Sequence, residues 1–171
     1  MSEAVLMPIN PVITERTAMT QEEFAAKAIK LRDKLYRMAC LYLGGNEAFA
    51  LEVVDEAIYK GLISLKRLRQ PEHFNTWLTR IVINGCMDTL RRKKRELTYE
   101  TIPEEAVESY DALPLKEAVR ALPQELKEVV ILRYFSDHTL AETAQLLDIP
   151  QGTVVTRQRR ALRILKLELE D

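Results

Sequence analysis

The sequence is poor in aromatic residues, glycine and cysteine. Aromatic side chains make up only 6% of the 171 residues and there are five glycines, whereas 47% of the residues are hydrophobic. A core that must be built from Leu, Ile, Val and Ala favours an all-helical protein. The length allows one ordinary domain or two small ones.

Long apolar runs are also absent. No stretch approaches the roughly 20 apolar residues of a membrane-spanning helix, so we expect no membrane insertion. The first twenty residues lack a basic start followed by an apolar core and contain Pro8 and Pro11, which argues against a signal peptide. The two cysteines, Cys40 and Cys86, lie in helical patterns without metal-ligand spacing. They predict free buried thiols in a reducing compartment, the cytoplasm.

Motifs of the common enzyme classes are missing as well. There is no phosphate-binding loop, no nucleophile elbow and no metal-ligand spacing. His73 and His138 lie far apart in the sequence, each among polar loop residues. The sequence therefore predicts a protein that is not an enzyme, with no catalytic residues, no cofactor and no metal.

Charge is distributed unevenly along the chain, although the net charge is only −1. Residues 21–95 hold 15 Lys and Arg against 9 Asp and Glu, whereas residues 96–112 hold six acids and no base. Residues 113–171 hold nine of each sign, but 151–166 contain bases and no acid. A basic block, an acidic tether and a locally basic C-terminal helix form a charge pattern that any function of the chain has to explain.

Capping residues and helical periodicity divide the first basic block into three helices. Thr20 with Glu23 forms a capping box that opens the first helix, and Gly44 follows its end. Asn46 caps the second helix, and Pro71 separates it from the third. The predicted helices span about 21–43, 47–68 and 74–95.

The remaining segments are an arm, a linker and a second helical domain. The linker is acidic, contains Pro103 and has no sustained hydrophobic period, so we expect it to be flexible. The helices after it are short and need one another to close a core; they are predicted at about 115–121, 124–135, 139–147 and 153–168. The predicted division is an N-terminal arm at 1–20, a first domain at 21–95, the linker at 96–114 and a second domain at 115–171.

The last two helices carry the most specific signal. Thr139 and Glu142 form a second capping box. Ala144, Asp148 and Val154 have the spacing of a helix-turn-helix, with a small residue at the helix crossing, a left-handed residue in the turn and an inward apolar residue. The rest of the predicted core of this motif is Leu140, Leu147, Ile149, Ala161, Leu162 and Leu165.

The second helix of this motif is basic on the side away from that core. Such a helix suits the major groove of DNA, which its N-terminal half would enter. The alternative is a solvated basic face in an ordinary helical bundle. The candidate residues for duplex contact are Thr153, Thr156, Arg160 and Arg163 on the outer face and Arg157 and Arg159 at its sides.

Three stretches resemble the extracytoplasmic-function sigma factors, a small group of the bacterial sigma-70 class. The stretch "ALPQELKEVVILRYFSDHTLAETAQLLDIPQGTVVTRQRRAL" is similar to their region 4, and "NTWLTRIVINGCMDTLRRKKR" is similar to the end of their region 2. "GNEAFALEVVDEAIYKGL" resembles the polymerase-binding helix that precedes it. Together the similarity covers about 21–95 and 113–168. It implies an all-α fold, with a three-helix region 2 and a helix-turn-helix region 4 joined by the acidic linker.

The resemblance also implies a function. Members bind core RNA polymerase and direct it to promoter DNA, with region 4 reading the −35 element and region 2 reading and opening the −10 element. An anti-sigma factor usually holds them inactive. By resemblance, the −35 set gains Val155. The residues implied for the −10 element are Arg80, Asn84, Arg91, Arg92 and Lys93. Those implied for polymerase binding are Glu52, Asp55, Glu56 and Tyr59.

The chain departs from the family pattern at several of these positions. Asp55 replaces a frequent Gln, and Phe49 stands near the start of the same motif. Ile83 and Val155 stand where basic residues are common, and Gln158 where a Leu usually packs. We expect a divergent member with its own promoter preference.

Two other functions fit parts of the sequence. A helix-turn-helix regulator that is no sigma subunit leaves residues 21–95 unexplained, and a helical adaptor that binds only protein leaves the arginine cluster unexplained. Single residues also have structural alternatives. Phe74 and Trp77 suit a core better than base stacking, and the basic run Arg91–Arg95 could be a solvated helix end.

Overall fold

The computed structural model describes residues 18–96 and 113–170, and within these ranges it contains helices and turns but no strand. The all-α class predicted from the sequence is confirmed. The predictions for residues 1–17 of the arm and for residues 97–112 of the linker lie outside the described residues. The α-helices are α1 (Gln21–Tyr42), α2 (Glu47–Ile63), α3 (Phe74–Glu96), α4 (Leu113–Ala121), α5 (Gln124–Val130), α6 (Leu140–Leu147) and α7 (Gln151–Glu170).

The predicted caps start and stop the first helices. The Thr20 hydroxyl accepts from the Glu23 backbone N–H at 3.2 Å, and the Glu23 carboxylate accepts from the Thr20 N–H at 2.9 Å. The Asn46 side chain accepts from the Phe49 N–H at 3.0 Å, which caps α2. Between them, Gly45 has φ +88°, a left-handed conformation that side chains disfavour. These local contacts allow α1 and α2 to fold back on each other.

Helix α2 is shorter than predicted, and α5 ends differently. The sequence predicts a helix to about residue 68, but α2 ends at Ile63. The Ser64 hydroxyl then donates to the Lys60 carbonyl, and a 3₁₀ turn follows. Residues Ile131–Phe135 continue α5 as a wider π-type turn, closed by the Ser136 N–H on the Ile131 carbonyl. Hydrophobic periodicity does not distinguish these turns from α-helix.

Helices α1, α2 and α3 pack together around aromatic and aliphatic side chains. Phe24 and Phe74 meet edge to face with ring centroids 5.5 Å apart, and both are buried. Leu35 and Leu78 are also buried. Phe74 is therefore a core residue, as its structural alternative predicted, and Trp77 packs partly buried against the same core.

In the second domain, most of the residues that were predicted to form the core of the helix-turn-helix are buried. Val154 and Ala161 are fully buried, and Ala144 and Leu165 are nearly so. The prediction for Leu162 is wrong, because this side chain is 41% exposed. One helical step beyond Ala161 turns Leu162 by about 100° away from the core, whereas Leu165, four residues after Ala161, stays on its side.

The two units share one core. The buried side chains of α1, α2 and α3 form a continuous cluster with those of α4, α5, α7 and the π-type turn. Helix α1 contacts α4 and this turn, and α3 contacts α6. The two domains, which look independent in the sequence, thus pack against each other in the folded chain.

None of the helices in the described part of the chain is both long and apolar enough to cross a membrane. Nor do residues 18–96 and 113–170 bring together three or more His, Cys, Asp or Glu side chains that could hold a metal ion. Cys40 is half-buried and Cys86 is buried, and both are free.

Candidate nucleic-acid interface

Helices α6 and α7 form the helix-turn-helix. The Thr139 hydroxyl accepts from the Glu142 N–H at 3.1 Å, and the Glu142 carboxylate accepts from the Thr139 N–H at 2.8 Å. Asp148 lies in the turn with φ 54° and ψ 47°, the left-handed conformation that the sequence predicts there. The Ile149 N–H donates to the Ala144 carbonyl, so the turn is tied to the end of α6. Helix α7 therefore leaves α6 in a defined direction.

The exposed face of α7 is basic. Thr156, Arg159, Arg160 and Arg163 are exposed, whereas Val154 on the opposite side is buried. Thr153 and Val155 are half-buried. Charged guanidinium groups on such a face can bind phosphates or pair with guanine in the major groove. The geometry thus brings most of the −35 candidates together on one surface.

Arg157 is placed differently from the other arginines of α7. Its guanidinium lies 3.5 Å from the Glu125 carboxylate on α5, and its side chain is 26% exposed. The neighbouring Glu128 has a raised pKa, mainly because it is partly buried, while Arg157 opposes that shift. Arg157 therefore contacts its own domain, and the helical pattern of α7 gave no sign of this partner.

Gln158 also contacts the domain rather than solvent alone. Its amide oxygen accepts from the Arg133 guanidinium at 3.2 Å, and its amide nitrogen donates to the Tyr134 hydroxyl at 3.0 Å. Arg133 further donates to the His138 carbonyl at 2.8 Å. These hydrogen bonds replace the apolar contact that the family pattern has at this position, and in this way they compensate for Gln158 in place of a Leu.

The −10 candidates lie along α3. Asn84 is exposed one turn after Arg80, while Ile83 beside it is buried and belongs to the core. The Arg80 guanidinium donates to the Gln145 carbonyl in α6. Arg80 and Asn84 thus share one side of the helix.

The basic end of α3 lies about 10 Å further along the helix. Arg91 pairs with Asp88 at 3.3 Å, and Arg92 is exposed. The Lys93 ammonium lies 4.4 Å from the centre of the Phe49 ring, a cation–π contact that links the unusual Phe49 to this end of the helix.

The polymerase candidates share the outer face of α2. Glu52, Asp55, Glu56 and Tyr59 are all exposed, and the Tyr59 side chain is 63% accessible. Asp55 pairs with Arg32 of α1 at 3.0 Å, and Glu56 pairs with Lys60 at 2.8 Å. The structure brings these four side chains together on a surface separate from the basic face of α7.

Two family models match the chain over most of its length. The model of sigma-70 region 2 matches residues 29–96, and the model of sigma-70 region 4 matches residues 118–167. These ranges contain the α2 and α3 candidates in the first match and the helix-turn-helix in the second.

Curated proteins of the same family are similar along most of their own length. The RNA polymerase sigma factor SigV of Bacillus subtilis is 33% identical over 143 residues, which cover 81% of this chain and 86% of SigV. The ECF RNA polymerase sigma factor SigW of the same organism is 28% identical over 171 residues, covering 88% of this chain and 91% of SigW.

Solved structures share the fold at lower sequence identity. The sigma factor RpoE of Bartonella quintana, solved with the anti-sigma factor NepR, has a TM-score of 0.78 at 21% identity, covering 87% of this chain and 98% of RpoE. CnrH, solved with the cytosolic domain of CnrY, has a TM-score of 0.68 at 21% identity, covering 88% of this chain and 90% of CnrH. Because both family models and the relatives SigV and SigW agree, the chain belongs to the extracytoplasmic-function group of the sigma-70 family of RNA polymerase sigma factors.

Proposed function

We propose that this chain, as a sigma factor, directs core RNA polymerase to its promoters through three separate surfaces. The basic face of α7 reads the −35 element, α3 reads and opens the −10 element, and the outer face of α2 binds the polymerase. The observation that carries the proposal is the exposed basic face of α7, which lies opposite a fully buried Val154 and Ala161 in a capped helix-turn-helix.

On α7, we assign direct or phosphate contacts to the exposed arginines. Arg160 and Arg163 extend from the outer face, and Arg159 flanks it. Arg157 is the weakest candidate of this helix because its guanidinium is paired with Glu125. Bidentate pairing with guanine gives sequence specificity, whereas phosphate contacts give affinity and salt dependence.

On α3, we assign Asn84 to the −10 bases and the basic helix end to the phosphate backbone. An exposed amide can donate to and accept from a base edge, which a flipped base presents without its pairing partner. Arg91, Arg92 and Lys93 supply positive charge further along the same helix. Arg80 joins this set only when its contact with Gln145 is released.

We further infer that an anti-sigma factor holds this chain inactive. Support comes from the solved relatives RpoE and CnrH, whose structures were determined with NepR and with the cytosolic domain of CnrY. The chain acts in the cytoplasm, where polymerase and promoter DNA are found. It carries no catalytic step of its own in this proposal, because the polymerase performs the chemistry.

Mutation of the outer face of α2 should weaken binding to core polymerase. The double variant Glu52→Lys, Tyr59→Ala should weaken binding to core polymerase by tenfold or more, because it removes an aromatic anchor and reverses a charge on one surface. Glu117→Lys, an exposed charge reversal on α4, is the matched control. Binding of each variant to immobilised polymerase gives both affinities. Equal binding by the double variant and the control would contradict the assignment of α2.

A further inference from the structure

Phe49, one of the departures from the family pattern, lies on α2 against the basic end of α3. We propose that Phe49 is a positioning residue for promoter DNA: its ring holds the Lys93 ammonium in place to bind a backbone phosphate. The DNA contact of this helix end rests on the proposed function, whereas the contact between Phe49 and Lys93 rests on the structure.

The Phe49 ring is fixed at the start of α2. The Phe49 N–H donates to the Asn46 side chain at 3.0 Å, which places the residue in the first turn of the helix. Its side chain is half-buried and packs against the main core cluster. An aromatic side chain has few rotatable bonds, so this packing leaves the ring little freedom. The ring therefore offers a defined face to α3.

Helices α2 and α3 approach each other closely near this ring. One turn after Phe49, the buried Val53 lies against Gly85 of α3, where a Cβ would be 3.0 Å from Val53 Cγ1. A larger residue at position 85 would push the two helices apart, because a buried valine has little room to move. This close packing keeps the start of α2 near α3 and allows the long Lys93 side chain to reach the ring.

The contact holds Lys93 without cancelling its charge. The ammonium lies 4.4 Å from the centre of the Phe49 ring, well within the range of a cation–π interaction. In the same basic run, Arg91 pairs with the Asp88 carboxylate, which offsets part of its positive charge. An aromatic ring carries no net charge, so Lys93 keeps its attraction for a phosphate.

The contact also leaves the ammonium able to bind DNA. Lys93 is half-buried, so part of its side chain stays accessible, and an ammonium has three N–H donors, of which a ring face can take only part. A lysine that is already held loses less conformational freedom when it binds phosphate. Exclusion of water by the DNA strengthens a cation–π contact. Both effects favour the DNA-bound state, so Phe49 should raise the affinity for promoter DNA without touching it.

Nuclear magnetic resonance of the free chain tests the contact without polymerase or DNA. Protons over an aromatic face are shielded, so the Lys93 Hε protons should resonate upfield of those of Lys30, an exposed lysine on α1. Phe49→Leu should abolish this upfield shift, and Phe49→Tyr, which keeps the ring, should retain it. Identical Lys93 shifts in the parent and in Phe49→Leu would overturn the proposal.

A double-mutant cycle in the polymerase holoenzyme tests the positioning role, with a promoter fragment whose start site has been mapped by run-off transcription. Lys93→Met should weaken promoter binding evenly across sequences and lower the salt slope by about one. Phe49→Leu should weaken it by about two- to fivefold, while Phe49→Tyr should bind like the parent. In the Lys93→Met background, Phe49→Leu should have no further effect. An equal loss in both backgrounds would show that Phe49 supports only the fold of α2 and would overturn the positioning role.

The matched control separates this proposal from the proposed function. Lys30→Met removes a lysine from α1 and should bind promoter like the parent. If Lys93→Met weakens binding but Phe49→Leu does not, the DNA contact of α3 stands and the positioning role fails. If Lys93→Met binds like Lys30→Met, this helix end makes no phosphate contact, and the assignment of Lys93 fails together with the role of Phe49. Affinity for core polymerase should be equal in all variants, and a Phe49→Leu effect that arises only from weaker polymerase binding would overturn the positioning role.

Discussion

Arg160 is well placed to test DNA recognition by α7. It is exposed, three residues before Arg163, and the adjacent Ala161 marks the buried side of the helix. Its replacement should therefore leave the fold intact and report on DNA binding alone.

Arg160→Ala should weaken binding to a −35 duplex taken from a mapped promoter. If the guanidinium pairs with guanine, the loss should be about 1–3 kcal/mol and specificity should relax at one base pair. If it binds a phosphate, affinity should fall evenly across sequences and the salt slope should decrease by about one. Lys30→Ala, an exposed base on α1, is the control. Binding, specificity and salt slope equal to the control would mean that Arg160 belongs to a solvated face.

His138 gives a second residue-scale prediction, for pH. Burial lowers the pKa of His138 below 6.5, and Lys34 contributes in the same direction. Glu142, whose carboxylate is 3.7 Å from the imidazole Nδ1, and Asp137 oppose the shift. The unfolded chain therefore binds the proton more readily, and the free energy of unfolding should fall as the pH drops below about 6.5.

The comparison with His138→Gln isolates this effect. Burial raises the pKa of Glu128, so its protonation increases the free energy of unfolding as the pH falls. A single curve of unfolding free energy against pH would therefore combine the effects of the two groups. Subtracting the urea-unfolding free energies of His138→Gln from those of the parent between pH 5.5 and 7.5 should leave a slope below about 1.4 kcal/mol per pH unit. A flat difference would show that His138 titrates alike in both states.

At the scale of helices, the sequence predicted the features that depend on neighbouring residues, namely the helix caps and the turn. The capping boxes at Thr20 and Thr139 are present, and Asp148 has the left-handed conformation that its spacing predicts. Contacts between distant segments were not predicted, because no local pattern encodes them: Arg157 with Glu125 and Arg80 with Gln145 join helices far apart in the sequence. The positions of candidate residues on helices were therefore predictable, and their partners were not.

The turn between α6 and α7 allows a direct test of that local reasoning. Asp148 has φ 54°, which costs less for glycine than for any residue with a Cβ. Asp148→Gly should raise the free energy of unfolding by about 0.5 kcal/mol, and Asp148→Ala should lower it by about 1 kcal/mol. Thermal unfolding of both variants checks this. Glycine and alanine variants of equal stability would show that the backbone conformation of the turn is not limiting.

At the scale of the whole molecule, the three sets of candidate residues lie on three helices around one continuous core. The acidic and aromatic face of α2 and the basic face of α7 belong to different domains, and α3 packs against α1 and α2 as well as against α6. The composition predicted helices without strands, and the family resemblance predicted two domains. Neither predicted that the buried side chains of the two units would form one cluster, since this depends on packing between α1, α3 and region 4.

Run-off transcription with purified core polymerase tests the central claim most directly. On genomic fragments, the chain should enable initiation at a small set of mapped start sites that core polymerase alone does not use. Asn84→Ala should bind core polymerase normally yet form fewer open complexes on duplex promoters. The free energy of open-complex formation should become less favourable by about 1–3 kcal/mol, because a base-specific contact is lost. Specific initiation that is reduced with Asn84→Ala is the result we predict. Polymerase that starts at the same sites with and without the chain would contradict its assignment as the promoter-selecting subunit.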